Sequence, residues 1–412
     1  MNSDDRIVYL DNAATSWPKP PETGQAMADF IRDAGGNPGR SGHRLSIAAG
    51  RVVSDARDAV ASALGLADPL RVVFMANATM ALNTALSGFL KPGDRVVADS
   101  MAHNAVARPL AELARCGVIV DWARADSTGR LDLEHLDALA RGTVSGASSP
   151  TKPPARMIVV THGSNVCGSM APLADIAEIA ARAGAVLLVD SAQTAGVEEI
   201  HLDSLGPAVL AFTGHKAMLG PGGTGGLAFG AAIDIDQFSP FVRGGTGSAS
   251  ESEDHPLFMP DRFEAGTANA PGLAGLLAGL QWIEEHGRAV IHAAEIKATE
   301  SLADGLRAIP GALVYGPGSG QPRCAVLSFT LPGWSVSELA LELDERHGIL
   351  CRVGLHCAPR AHRSLGTFPD GTVRLAPGPF TMPDDIEYVL ESIQELASER
   401  EGRTSHSAGQ PR

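Results

Sequence analysis

Lys216 stands in the run GHKAMLGPGGTGG, directly after the apolar segment AVLAFT at 208–213. A lysine in a glycine-rich bend at a strand end has what a Schiff-base amine needs. Partial desolvation favours the neutral nucleophile, and bare backbone lets a ligand come close. Lysine is scarce in this chain: Lys91 lies in a KPGD turn, Lys152 in a polar loop and Lys297 on a charged helix face, where solvation explains them. Taken alone, Lys216 could equally cap a turn. However, three more reactive types also follow apolar runs: Thr79 after RVVFMA, His103 after DRVVAD, and Asp190 at the end of AVLLVD. In an open parallel sheet, ligands bind beyond the carboxyl ends of the strands, so these four side chains should meet at one edge.

The set suits pyridoxal 5′-phosphate (PLP) as the partner of the lysine. This cofactor acts as an electron sink and needs a carboxylate on its pyridine nitrogen, for which Asp190 is the candidate. Gln193, three residues on in VDSAQTAG, could donate to the phenolic oxygen. A phosphate is best held at a helix N-terminus. The run ANAT at 76–79 opens a helical pattern and places Thr79 in its first turn, while Thr213 and His215 flank the lysine and could reach the same group. His103 could stack on the ring. Each has a plainer reading: helix cap for Asp190 and Thr79, surface histidine for His103.

The elements that must position these residues follow from periodicity. From 71 to about 229, apolar β-rich runs alternate with stretches whose apolar residues recur at three and four, as at 78–90, 107–116, 133–140 and 172–184. That alternation predicts an α/β fold with a mostly parallel sheet flanked by helices. Beyond Gly272 come a long helix and a smaller alternating unit with AVLSFTL, a helix over Val336–His347, ILCRVG, TVRLA and a last helix from Pro383. The expected division is a large domain over 23–285, a small α/β domain built from 1–22 and 286–398, and a disordered polar tail over 399–412. The segments 141–155 and 248–260 read as loops. The second carries Leu257, Phe258 and Met259, which would suit packing on another subunit.

A net charge of −14 without a basic run disfavours nucleic acid and anionic membranes. No segment has the roughly 20 apolar residues of a span, and the acidic, polar first residues do not read as a signal peptide, so a cytoplasmic location is expected. Five dispersed cysteines make no disulfide framework and are expected to be mostly buried.

The motifs YLDNAAT (9–15), ANAT, HGSNVCG (162–168), VDSAQ, TGHK, RFEAGTAN (262–269) and RVGLHCAPRAH (352–362) together resemble the cysteine desulfurases and selenocysteine lyases of the class V aminotransferase group, from about 7 to 397. The resemblance implies PLP fold type I. It assigns Lys216 to the Schiff base, Asp190 and Gln193 to the ring, and His103 to stacking. Thr79, Thr213 and His215 go to the phosphate, and Asn165 near the substrate. It implies that Thr267 reaches the phosphate of a neighbouring subunit, hence a homodimer with shared sites. Arg374 is similar to the arginine that grips the substrate carboxylate, for which its forked donors are suited. Cys357 falls where these enzymes keep the nucleophile that takes sulfur from L-cysteine as a persulfide, for delivery to an acceptor protein. His356 and Arg352 are candidates to lower its pKa, Arg352 also to contact substrate. Met80, where the family has a carboxylate, and LAPGPFTM after Arg374 depart from the pattern. Other readings are a C–S or C–Se lyase or an epimerase on the same scaffold, a metal site at Cys357, His356 and His362, or a nucleotide-binding or scaffold protein. The last would need a GxGxxG loop after the first strand; here the glycines follow the lysine.

Overall fold

The computed structural model describes residues 6–38, 42–143 and 151–407. The apolar runs of the first half form the strands of one seven-stranded sheet. They are β2 (Val72–Met75), β3 (Arg95–Asp99), β4 (Ile119–Ala123), β5 (Met157–Thr161), β6 (Val186–Asp190), β7 (Ala208–Thr213) and β8 (Gly225–Phe229). Their order is β2-β8-β7-β6-β5-β3-β4. All neighbours pair in parallel except at β8, which runs antiparallel to both β2 and β7.

Strands buried on both faces should be continuously apolar, with successive side chains serving opposite layers. Val96, Ala98, Val159, Leu188, Val209 and Ala211 pack towards α3 (Ala78–Phe89) and α4 (Asn104–Arg115). Val97, Ile158, Val160, Leu187, Val189 and Leu210 face the other layer. That layer holds α2 (Arg44–Ala63), α5 (Leu133–Ala140), α6 (Leu173–Ala183) and α7 (Ala270–His286), with α1 (Pro21–Asp33) packed on α7.

After α8 (Arg288–Ala308), β9 (Leu313–Tyr315), β10 (Leu327–Thr330), β12 (Arg352–Gly354) and β13 (Thr372–Leu375) form an antiparallel sheet of order β12-β13-β10-β9. It shares a separate core with α9 (Val336–His347) and α11 (Pro383–Ser407). The first strand, β1 (Val8–Tyr9), pairs with β11 (Ile349–Leu350), and the short α10 (Pro359–Leu365) follows Cys357. Helix α11 continues to Ser407, past the start of the expected tail, and residues 408–412 lie outside the described residues.

Glycine at 225 decides how closely the site's elements approach. A Cβ there would stand 2.7 Å from the Phe212 carbonyl oxygen and 2.8 Å from the Asn77 Cα, both backbone atoms that cannot swing aside. Asn77 caps α3 and Phe212 lies in β7, so Gly225 sets the spacing between the ANAT helix end and the strand leading to Lys216. Gly225→Ala should therefore destabilise the protein by about 1–3 kcal/mol, the usual cost of overpacking, seen as a lowered denaturation midpoint in urea.

Candidate active site

Thr79, His103, Asn165, Asp190, Gln193, Thr213, His215 and Lys216 line one cavity of about 90 Å³ at the carboxyl edge of the large sheet. Lys216 follows the end of β7. The His215 carbonyl beside it accepts hydrogen bonds from the Ser16 backbone N–H (3.0 Å), the Thr15 hydroxyl (3.0 Å) and the Lys19 ammonium (3.2 Å). The N-terminal segment thus clamps the lysine's bend. Lys216 is half-buried and lines this cavity. Burial pushes the Lys216 pKa down to about 8; the Asp190 carboxylate opposes that shift, while Arg374 and Arg352 add to it. A neutral amine is therefore accessible near neutrality, as a nucleophile or proton acceptor requires.

Asp190, at the end of β6, is itself buried, and burial raises its pKa. It accepts a hydrogen bond from the Ala192 N–H at 3.1 Å. Behind it, at the end of β3, lies Asp99, also buried. Its carboxylate accepts the N–H groups of Met101 (2.8 Å) and Thr161. Desolvation raises it to about 7 despite those donors, with the charge of Asp190 adding to the rise.

Asn77 is the cap of α3: its side-chain oxygen accepts the Met80 N–H at 2.9 Å. Thr79 occupies the first turn of this 12-residue helix, whose amino end lines the cavity. That is a favourable place for an anion. His103 caps α4 through an Ala105 N–H to Nδ1 bond of 3.0 Å, which fixes its ring at the cavity wall. Burial and the charges of Lys216, Arg352, Arg108 and Arg374 hold its pKa down to about 4, so the ring is neutral. Gln193 donates to the Ala13 carbonyl at 2.9 Å.

Arg374, on β13, is buried beside this cavity's Asn165. It donates to the Asn165 carbonyl (2.9 Å) and pairs with Asp11 (2.5 Å). Its Nε and the Asn165 Oδ1 are buried polar atoms without a hydrogen-bond partner, a pair of unspent groups where a polar ligand could bind. Arg352 is exposed and lies outside the cavity lining. So does Thr267, which is exposed and lines a different, larger cavity with Glu264 and Asn269.

Cys357 is exposed, and both it (φ 56°) and His356 (φ 46°) adopt left-handed backbone that side chains rarely take. Hydrogen bonds hold the loop in that form. The His356 carbonyl accepts from the Asn165 amide at 2.8 Å, and the Cys357 carbonyl from the Asn104 N–H at 2.7 Å. The His356 ring is buried between the Arg352 carbonyl (3.4 Å) and the His362 ring (3.3 Å), and His362 bonds the Thr367 hydroxyl at 2.7 Å. His356 cannot act on the thiol as a cation, contrary to expectation. Burial and the charge of Arg374 push its pKa down to about 2. Among the described residues no His, Cys, Asp and Glu cluster could hold a metal ion. Cys167 and Cys324 are buried, whereas Cys116 is exposed.

Residues 8–389 match the family model described as aminotransferase class-V. A probable cysteine desulfurase of Methanothermobacter thermautotrophicus is 32% identical, over 95% of this chain and 94% of that one. The cysteine desulfurase of Haloferax volcanii is 31% identical, over 87% and 83%. An apo cysteine desulfurase structure from Thermococcus onnurineus superposes with a TM-score of 0.85 at 31% identity, covering 95% of both chains. The chain belongs to the cysteine desulfurase family of the class-V aminotransferases. It is therefore a PLP-dependent enzyme, and the residues around Lys216 fit that cofactor. They offer a carboxylate at Asp190, an amide at Gln193, hydroxyls at Thr79 and Thr213, and a helix end for the phosphate.

Sequence reading missed Asp11 and Asp99 of this desulfurase-family site, and named His362 only as a possible metal ligand. Asp11, inside YLDNAAT, is the ion-pair partner of Arg374; Asp99 ends β3 as Asp190 ends β6; His362 braces the ring next to Cys357. The recurring strand-end aspartate was the one available signal. His362→Ala would leave buried donors and acceptors of His356 and Thr367 unmatched, a loss of about 1–3 kcal/mol. The expected outcome is a lower melting temperature together with faster alkylation of Cys357 by iodoacetamide as its loop loosens.

Proposed function

We propose that this chain converts L-cysteine to L-alanine and collects the sulfur on Cys357 as a persulfide. The observation that carries the assignment is the juxtaposition of a half-buried, readily deprotonated Lys216 facing Asp190 with an exposed Cys357 whose loop is tied to the same site through Asn165 and Asn104. When bound, PLP supplies an electron sink for the substrate α-carbon. Asp190 would keep the ring nitrogen protonated, Gln193 would donate to the phenolic oxygen, and His103, fixed by its capping bond, would pack on the ring as a neutral imidazole. Thr79, Thr213 and His215 surround the place for the phosphate.

The substrate carboxylate would meet Arg374, whose Nε–H is an unmatched donor in the buried wall, while the unmatched Asn165 Oδ1 beside it would accept from a donor of the substrate or cofactor. Lys216 Nζ then accepts the α-proton, for which its lowered pKa suits it. Cys357 Sγ attacks the substrate sulfur: an S–S bond forms, the Cβ–S bond breaks, and its electron pair stays with the carbon skeleton, which takes up protons and leaves as alanine. The exposed position of Cys357 leaves the resulting persulfide within reach of an acceptor. Two copies would share sites, with Thr267 directed to the phosphate of the other, in keeping with its distance from the cavity of its own chain. No helix among the described residues is long and apolar enough to cross a membrane, which suits a cytoplasmic location.

Incubation with L-cysteine should yield alanine and add one sulfur to the peptide containing Cys357, read by mass spectrometry. Cys357→Ala should retain the cofactor and its spectral response to L-cysteine, but lose at least about 100-fold in alanine formation, since the nucleophile is gone. Unchanged turnover in that variant would contradict the assigned role of Cys357.

A further inference from the structure

The proposed persulfide needs a taker, and the surroundings of Cys357 carry local positive charge on a molecule that is negative as a whole. The chain has a net charge of −14, yet no Asp or Glu occurs between Arg346 and Asp370, or between Asp99 and Glu112. These two segments are brought together at Cys357, where the Asn104 N–H meets the Cys357 carbonyl and the Ser364 hydroxyl meets that of Ser100 at 3.1 Å. They contribute Arg108 on α4, Arg352 on β12, and Arg360 and Arg363 on α10. None of the four makes an ion pair with a described residue; the nearby Glu112 of α4 is engaged by Arg115. Arg108 and Arg352 are close enough to His103, and Arg363 to Arg360, to depress the pKa of each.

Two of these guanidiniums also lie over aromatic rings. Arg360 lies 3.6 Å over Trp122 and Arg363 lies 4.2 Å over Phe368, whose ring is 43% exposed. Arginine stacked on aromatic side chains keeps its charge while its orientation is fixed, and Arg, Trp and Phe are the residue types enriched in protein contact surfaces. A collar spread over three elements and two aromatic platforms is larger than a small anion needs. The net negative charge of the molecule repels an acidic chain, so local positive charge steers such a chain towards this face.

We infer that the basic collar formed by Arg108, Arg352, Arg360 and Arg363 is a docking surface for an acidic polypeptide that presents a thiol to Cys357. Building on the proposed desulfuration, that polypeptide is the sulfur acceptor. Its thiolate attacks the terminal persulfide sulfur, a new S–S bond forms on the acceptor, the old one breaks, and its electron pair returns to Cys357 as thiolate, with no external oxidant or reductant.

The test reads docking without relying on desulfuration. The PLP-loaded protein, carrying Cys116→Ser to silence the other exposed cysteine, is mixed with two hexapeptides whose single cysteine is activated as a pyridyl disulfide, one with four Glu and one with four Lys. Cys357 attacks the peptide sulfur and releases pyridinethione, which is followed by absorbance. At low ionic strength the acidic peptide should react at least about tenfold faster, and the ratio should collapse in about 0.5 M salt. Arg360→Glu with Arg363→Glu should abolish or invert the ratio while the rate with neutral dithiodipyridine stays within about twofold, which also shows the variant is folded. Equal rates for the two peptides, or a ratio unchanged in the double variant, would overturn the proposal. So would an arginine-dependent preference for the dianionic aryl disulfide dithiobis-nitrobenzoate without one for the acidic peptide, an outcome that assigns the collar to a small anion. A peptide preference with no Cys357 persulfide after L-cysteine would instead count against the desulfurase assignment alone.

Discussion

Desolvation of the Lys216 amine is the constraint around which the rest of the site is arranged. Moving its pKa from 10.5 to about 8 corresponds to roughly 3 kcal/mol of bias against the ammonium form. The unfolded chain regains the ordinary value, so it binds more protons than the folded chain between those two pH values, and this group's contribution to stability rises with pH across that window. Asp190 opposes the bias, and without that carboxylate the amine would be discharged further. Asp190 is in turn kept from water, with Asp99 behind it holding two backbone N–H groups. The carboxyl ends of β3, β6 and β7 therefore bring two acids and a lysine into one enclosed edge, an arrangement that a parallel sheet with helices on both faces can shield.

That edge is incomplete without chain from the far end of the sequence. The N-terminal segment reaches the His215 carbonyl with Thr15, Ser16 and Lys19, and reaches the small sheet through Asp11 on Arg374 and the Asn12 amide on the Ala376 carbonyl at 2.9 Å. One short stretch thus ties the lysine bend to Arg374. The Cys357 loop joins the same network through Asn165. Two left-handed, non-glycine residues in sequence cost on the order of 1–3 kcal/mol each, and persist only where surrounding contacts over-determine them. Here the contacts are the His356–His362–Thr367 chain on one side and Asn165 and Asn104 on the other. A cysteine held this way is displayed, not buried.

Much of this was legible in the residues, because the signals were local. AVLAFT, LEHLDALA and Val336–His347 form elements with the predicted bounds, two by unbroken apolar or three-and-four periodicity and the third with a Ser335–Glu338 capping box. Reactive residues that follow strands fell on one edge because chain direction in a parallel sheet fixes that edge. What stayed hidden depended on distant partners. GGLAFG reads as a strand, but its antiparallel direction is set by the turn through Gly220–Thr224, not by its own residues. Helices α1 and α2 went unread, although their apolar residues keep helical spacing as clearly as those of α3. Asp11 meets Arg374 across 363 residues, and His356 loses its charge to burial that no local pattern announces.

The most direct test is borohydride trapping of added PLP as a function of pH, with the modified peptide identified by mass spectrometry. A desolvated Lys216 predicts a single pyridoxyl label at that residue, with the initial trapping rate rising as pH passes through about 8. Labelling spread over Lys19, Lys91 or Lys297, or a rate at Lys216 that rises only near the ordinary lysine value of about 10.4, would contradict it.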